Sequence, residues 1–165
     1  MNRAKATPPS EDITYQVIGC AMRVHNALGP GLKEAAYQCA LSLEMEKAGL
    51  SFEAECQTEI FVDGASIGLL FLDHLVENEV VVEEKALSHL LTNEEIAQVI
   101  TYLSATGSKV GILLNFGRRQ LEYKRILPPK NVARWRERIQ RYVWRPQDVV
   151  AANGLAGRNE RKRIR

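Results

Sequence analysis

The run Val80-Val81-Val82-Glu83-Glu84-Lys85 constrains this chain more than any other stretch. Three successive β-branched apolar residues read as a central strand covered on both faces, so the chain must supply other elements on each side of it. Strand side chains alternate with a period of two, which projects Glu83 and Lys85 from one face, one pleat apart. If residues 66–76 and 80–86 pair as a hairpin through Glu77-Asn78-Glu79, Asp73 approaches that same face. Two carboxylates and one ammonium then converge, a set suited to a hard divalent cation and a scissile phosphate. A Glu-x-Lys on a strand is more commonly a solvated pair. Here, however, it ends a very apolar strand, and a helix follows that carries Gln98 and Tyr102 at i and i+4, on one face. A glutamine can orient a water or a phosphate, and a tyrosine hydroxyl can donate to a phosphate oxygen. The plainer reading of that pair is a helix face with a half-buried tyrosine.

The rest of the chain supplies the surroundings. Ser10 is placed to cap a helix to about Leu28, with Ile13, Val17, Ala21, Val24 and Leu28 at helical spacing. Gly29-Pro30-Gly31 breaks it. A second helix is expected from about Leu32 to Ala48, with Leu32, Ala36, Ala40, Leu43 and Lys47 along one stripe and Gly49 just past its end. Within Gly31-Leu32-Lys33-Glu34-Ala35-Ala36-Tyr37, Glu34 either complements the helix N-terminus or faces the cation site as a further carboxylate. Residues 52–62 read as a strand closed by the Asp63-Gly64 hairpin turn. Thr92-x-x-Glu95 is a capping box for a helix to about Ala105, ended by Gly107. Val110–Asn115 and Leu121–Ile126 are the last two strands. The order ααβββαββ implies an α/β fold, a sheet with helices packed on it.

Length points to one domain with a real core. The division expected is a disordered leader over 1–10, a main domain over 11–128 ending near Pro128-Pro129, and a basic helix (132–143) with a flexible tail over 129–165. No apolar run reaches the roughly 18 residues of a membrane span, and residues 1–10 lack the apolar core of a secretory signal. Cys20, Cys39 and Cys56 are odd in number and far apart, which argues against a disulfide framework or a zinc site and for buried free thiols in a reducing cytoplasm. The net charge of +2 hides an asymmetry: 12 Lys/Arg against 17 Asp/Glu in residues 1–130, but 10 against 3 in 131–165. The basic end points to an anionic partner. Arg134, Arg138 and Arg141 would share one side of its helix and contact phosphates, while Trp135, Tyr142 and Trp144 could stack on bases. Nothing in the sequence fixes the oligomeric state, and a homo-oligomer is compatible with it.

From about Val17 to Leu127 the chain resembles the GxxExxY family. The resemblance rests on Val24-His25-Asn26-Ala27-Leu28-Gly29-Pro30-Gly31-Leu32-Lys33-Glu34 through Tyr37, on Val82-Glu83-Glu84-Lys85-Ala86, on Gln98 to Leu103, and on Gly111-Ile112-Leu113-Leu114-Asn115-Phe116-Gly117, all in order. That family is similar to the PD-(D/E)xK nuclease superfamily. The resemblance implies a central mixed β-sheet flanked by helices, a restriction-endonuclease-like core. It implies Asp73, Glu83 and Lys85 as the signature triad, Glu34 as the acidic residue of the early helix, and Gln98 and Tyr102 as the Gln-x-x-x-Tyr pair.

The expected activity is metal-dependent hydrolysis of DNA or RNA phosphodiesters. Mg²⁺ or Mn²⁺ would be held by Asp73, Glu83 and Glu34, with Lys85, Gln98 and Tyr102 completing the site. Three departures stand out. Phe71 occupies a position where the family usually has a basic residue. Glu84 replaces a usual leucine, so that face of the strand is expected to be less buried. His74 replaces an apolar residue; facing away from Asp73, it is expected at the surface or core edge. The Phe71 departure supports an alternative, a catalytically weak or inactive nucleic-acid- or protein-binding member of the same fold. A third possibility is an interaction module whose basic end binds an acidic partner. His25 suits the C-terminal end of the first helix, and His89 lies in the loop after Lys85.

Overall fold

A computed structural model describes residues 10–130 and 139–144. The elements are α1 (Glu11–Leu28), α2 (Glu34–Lys47), β1 (Phe52–Val62), β2 (Ala65–Val76), β3 (Val80–Lys85), α3 (Asn93–Thr106), β4 (Val110–Asn115) and β5 (Glu122–Ile126). They build one five-stranded mixed sheet in the order β1-β2-β3-β4-β5. β3 and β4 run parallel through the α3 crossover, and the remaining pairs are antiparallel. The β1–β2 and β2–β3 hairpins turn through paired left-handed residues, Asp63-Gly64 and Glu77-Asn78, the geometry that matches the twist of the strands they join. The Thr92–Glu95 capping box forms, and Gly107 ends α3 with a left-handed backbone.

The sheet separates two cores. On one side Val80, Val82, Ile112 and Leu114 pack with Val17, Val24, Tyr37 and Leu41 of α1 and α2. On the other, Val81 and Leu113 pack with Ile96, Val99, Ile100 and Leu103 of α3. β3 and β4 are therefore covered on both faces, as the valine run requires. The α2 stripe differs from the one read in the sequence. Tyr37, Leu41 and Met45 are buried, while Leu32 and Leu43 are about half exposed. α2 has apolar side chains on several sides, so spacing alone does not choose among them. Ser10 makes no side-chain cap; its hydroxyl donates to Glu79 Oε2 instead, at 3.2 Å. Of the three free thiols, Cys20 and Cys56 are buried and Cys39 is exposed, because Cys39 lies on the outer side of α2. No helix among the described residues is long and apolar enough to cross a membrane.

The chain beyond Pro129 is not wholly separate from this unit. Residues 132–138 of the helix read in the sequence lie outside the described residues. Residues 139–142 form a 3₁₀ turn rather than an α-helix. Ile139 and Val143 enter the α3-side core, and Val143 bridges to Ile126. The peptide N–H of Trp144 donates to the Arg125 carbonyl at 2.7 Å, so the segment clips onto the free edge of β5.

At the other end of β4, Gly117 passes against the backbone of Leu87; a Cβ there would sit 2.5 Å from both its nitrogen and its oxygen. Backbone cannot yield as a side-chain tip can. Gly117→Ala should destabilise the fold by about 1–3 kcal/mol, read as a lowered midpoint in urea unfolding with an unchanged slope.

Candidate active site

The site forms where β2 and β3 part. Their paired ladder runs from Val76↔Val80 to His74↔Val82 and goes no further. At the next step the Glu84 N–H donates to Asp73 Oδ2 at 2.8 Å, a carboxylate standing where a strand carbonyl would be. Glu55, opposite Asp73 on β1, has a left-handed φ of 52° that disturbs the ladder on that side too. Asp73 Oδ1 accepts from Gln38 Nε2 of α2 at 2.8 Å. Both oxygens of the aspartate are thus fixed by one strand and one helix.

Glu83 and Lys85 project from the α3 face of β3, as alternation requires. Lys85 Nζ lies 2.9 Å from Glu83 Oε1. The other oxygen, Glu83 Oε2, is buried and has no partner among the described residues. From α3, Tyr102 approaches Glu83, Lys85 and Asp73 closely enough to feel their charges, and its hydroxyl accepts from Gln98 Nε2 at 2.6 Å. Glu34 opens α2; its carboxylate meets the Ala86 backbone N–H and the charges of Lys85 and Asp73. The structure therefore brings together every side chain of the expected triad, the early-helix carboxylate and the Gln–Tyr pair. Of the expected phosphate contacts, Arg141 is exposed on the 3₁₀ turn, and Arg134 and Arg138 lie outside the described residues.

Electrostatics at the site is dominated by crowded negative charge. Burial, reinforced by Asp73, pushes the Glu83 carboxyl up to about 7 despite Lys85. Burial also raises Glu34, with Asp73 adding to it and Lys85 opposing. For Lys85, burial works against its charge, but Glu83, Glu34 and Asp73 outweigh it and hold the ammonium above its ordinary range. Tyr102 is raised by burial and by Glu83. Hard oxygens, a buried unpartnered carboxylate oxygen and surplus negative charge fit a small divalent cation. Among the described residues no three His, Cys, Asp or Glu side chains stand in a ready-made coordination cluster. Instead Asp73 and Glu83 are held by Gln38, the Glu84 N–H and Lys85.

The reverse face corrects two expectations. Glu84 and His74 are both buried, at 0% and 1% exposure, and they meet: His74 Nδ1 lies 2.8 Å from Glu84 Oε1. The contact is out of line for a full hydrogen bond, and Glu84 Oε2 has no partner. Burial pulls the His74 imidazole down to about 4. Burial, then Asp73, drives the Glu84 carboxyl well above the ordinary range. Burial thus works against charge on both members of the pair, as it does for any ionisable group in an apolar core. His74 Nε2 is 2.7 Å from Ser42 Oγ on α2, which continues the chain of polar contacts. The two substitutions read separately in the sequence thus answer one another across the strands. His74 pairs with Val82, so Glu84, two residues further along β3, shares its face; that diagonal relation about the Glu77-Asn78 turn was the available signal.

Sequence reasoning also passed over Asn115 and Glu122. Asn115 is buried; its Oδ1 accepts from Leu87 and Gly117 N–H groups at 2.9 and 3.1 Å, and its Nδ2 donates to the His89 carbonyl at 2.9 Å. Both Glu122 carboxylate oxygens accept from the Leu91 N–H. Together they anchor the 86–92 loop that joins Lys85 to the helix of Gln98 and Tyr102. His25, at the end of α1, is 2.8 Å from the Arg118 carbonyl through Nε2. His89 is exposed, with Nδ1 2.9 Å from the neighbouring Leu90 carbonyl.

The model of the PD-(D/E)XK nuclease superfamily matches residues 11–126. The chain belongs to that superfamily. Among solved structures it is similar to the crystal structure of SSO0001, with a TM-score of 0.50 and 20% sequence identity, over 65% of this chain and 55% of that one. The chain thus spans little more than half of that protein, and at this identity the likeness concerns the fold. No curated protein matches.

The buried pair predicts non-additive energetics. Glu84→Leu alone strands His74, and His74→Leu alone strands Glu84; each should cost about 1–3 kcal/mol. The double variant should recover much of that loss in urea unfolding. Glu83 predicts a pH effect in metal-free buffer. Its carboxyl titrates higher folded than unfolded, so its contribution to stability is full below the ordinary carboxylate range and is lost as pH rises through about 7. Glu83→Gln should therefore match wild type near pH 4 and exceed it near pH 8, by on the order of 2–3 kcal/mol. A variant less stable than wild type at the higher pH would contradict the assignment.

Proposed function

We propose that the chain is a metal-dependent nuclease hydrolysing phosphodiester bonds of DNA or RNA, within the GxxExxY branch of its superfamily. The observation that carries this reading is the buried, unpartnered Glu83 oxygen beside Asp73 and Lys85. Asp73 and Glu83 would hold a Mg²⁺ or Mn²⁺ ion, with the Glu84 carbonyl and Glu34 as further oxygens. When bound, that ion supplies neutralisation of phosphate charge and acidification of a water. Lys85, charged because three carboxylates surround it, orients the nucleophile and stabilises negative charge developing on the phosphate. Gln38 and the Glu84 N–H keep Asp73 from turning away. The Gln98–Tyr102 pair presents a hydroxyl proton toward the same space, because Gln98 donates to the tyrosine oxygen and leaves its O–H free for a substrate oxygen. Arg141, with Arg134 and Arg138, would add sequence-independent phosphate contacts. The free thiols of Cys20, Cys39 and Cys56 suit a reducing cytoplasm.

One observation favours the second reading, a binding protein with weak or absent turnover. Phe71, two residues before Asp73, is 55% exposed where a phosphate-binding cation would serve. Cleavage assays separate the two readings. Single- and double-stranded DNA and RNA are incubated with wild type, Asp73→Ala and Lys85→Ala in Mg²⁺ or Mn²⁺. Each variant should lose roughly a hundredfold or more in rate, while chelation with EDTA should abolish cutting. Cleavage by the variants at the wild-type rate would exclude this site, and binding without cleavage by wild type would select the second reading.

A further inference from the structure

The cations of the described residues divide into two groups. Arg23 and Lys47 pair with Glu44, Lys85 with Glu83, Lys109 with Glu79 and Lys124 with Glu122. Arg125 lies over the Trp144 ring. Lys130 and Arg141 have no carboxylate partner among the described residues, and neither do the adjacent Arg118 and Arg119. Arg118 and Arg119 sit in the turn after β4. Because β3 and β4 are parallel and pair Lys85 with Asn115, that turn leaves the sheet at the same end as the catalytic strand. The Phe116 N–H donates to the Lys85 carbonyl at 2.8 Å, and Gly117 rests on Leu87. Lys33, likewise without a carboxylate partner, begins α2 beside Glu34 at this end.

The two arginines open onto a hollow of about 470 Å³, bounded also by Leu90, Gln120, Leu121 and Glu122. Leu90 is 59% exposed beside it. The Glu122 carboxylate accepts from the Leu91 N–H and lies 3.8 Å from Lys124 Nζ, and it makes no ion pair with either arginine among the described residues. The hollow thus combines two unneutralised guanidinium groups with apolar side chains. On the other side of the site the β1–β2 arm is unsuited to a polyanion. Residues 52–72 carry Glu53, Glu55, Glu59 and Asp63 and no lysine or arginine.

We infer that the Leu90–Arg118–Arg119 hollow binds the nucleotide adjoining the scissile phosphate, its phosphate on the arginines and its base against Leu90 and Leu121. The substrate strand then leaves the site over the β4–β5 turn and away from the hairpin arm. This assigns to Arg118 and Arg119 the phosphate contact that Phe71 does not make. The inference rests on the nuclease reading.

Fluorescence anisotropy tests it with labelled single-stranded DNA, duplex DNA and single-stranded RNA, Ca²⁺ replacing Mg²⁺. Arg118→Gln/Arg119→Gln should bind the preferred probe roughly tenfold or more weakly. The slope of log affinity against log salt should shrink by about two, one contact per arginine. In Mg²⁺ the double variant should show a raised KM with kcat largely retained. Lys109→Gln, at the opposite end of β4, serves as the control. If the double variant keeps wild-type affinity and salt slope while wild type still cuts in a Lys85-dependent way, the hollow is excluded and the nuclease reading stands. If wild type neither binds nor cuts any probe, both fall.

Discussion

A single hydrogen bond sets the geometry on which the rest depends. The Glu84 N–H finds the Asp73 side chain rather than a backbone carbonyl of β2. The donor is satisfied, as a buried peptide N–H must be, yet the ladder ends there. β2 is released to run on as an arm with β1, and β3 keeps β4 as its partner to the last residue. The same bond fixes Asp73 against Glu83. Gln38 then locks the second oxygen from α2. The carboxylate is thus held in one orientation by a strand and a helix.

That geometry gathers like charges, and the chain answers differently on the two faces of β3. On the α3 side, Lys85 compensates Glu83 only in part; one carboxylate oxygen stays buried and unmatched. On the α2 side the described residues place no lysine or arginine beside Glu84, and burial works against charge on both Glu84 and His74. A cluster of crowded charges and a packed core can therefore share adjacent residues of a six-residue strand.

Much of this was legible in the sequence. The valine run, the Glu83-x-Lys85 alternation and the hairpin turns follow from local rules, and α1 to α3 and β1 to β5 each lie within about two residues of where those rules place them, unlike the helix read over 132–143. Alternation and the hairpin already bring Asp73, Glu83 and Lys85 together, but Glu34, Gln98 and Tyr102 join them firmly only through the resemblance, because period-two spacing does not say which helix faces which strand. Where reasoning failed, non-local contacts decided. The buried face of α2 depends on what Tyr37 and Met45 meet across the core. The burial of His74 and Glu84 becomes intelligible only when the two are seen as a pair. Arg118 and Arg119 look like ordinary loop residues until parallel pairing brings their turn to the end of β3.

The clip of residues 139–144 onto β5 bears on how the protein behaves at high concentration. An open sheet has two borders, and each offers unpaired peptide groups to any neighbouring chain. Here Arg125 and Leu127 on one border already have backbone partners in Trp144 and Tyr142. The other border, β1, carries exposed Glu53, Glu55 and Glu59 and a left-handed break at Glu55. A second copy laid antiparallel against it would meet its own charges across a kinked strand. The sheet is thus protected from growth by strand addition, and the aggregation to which open sheets are prone is opposed at both borders by different means.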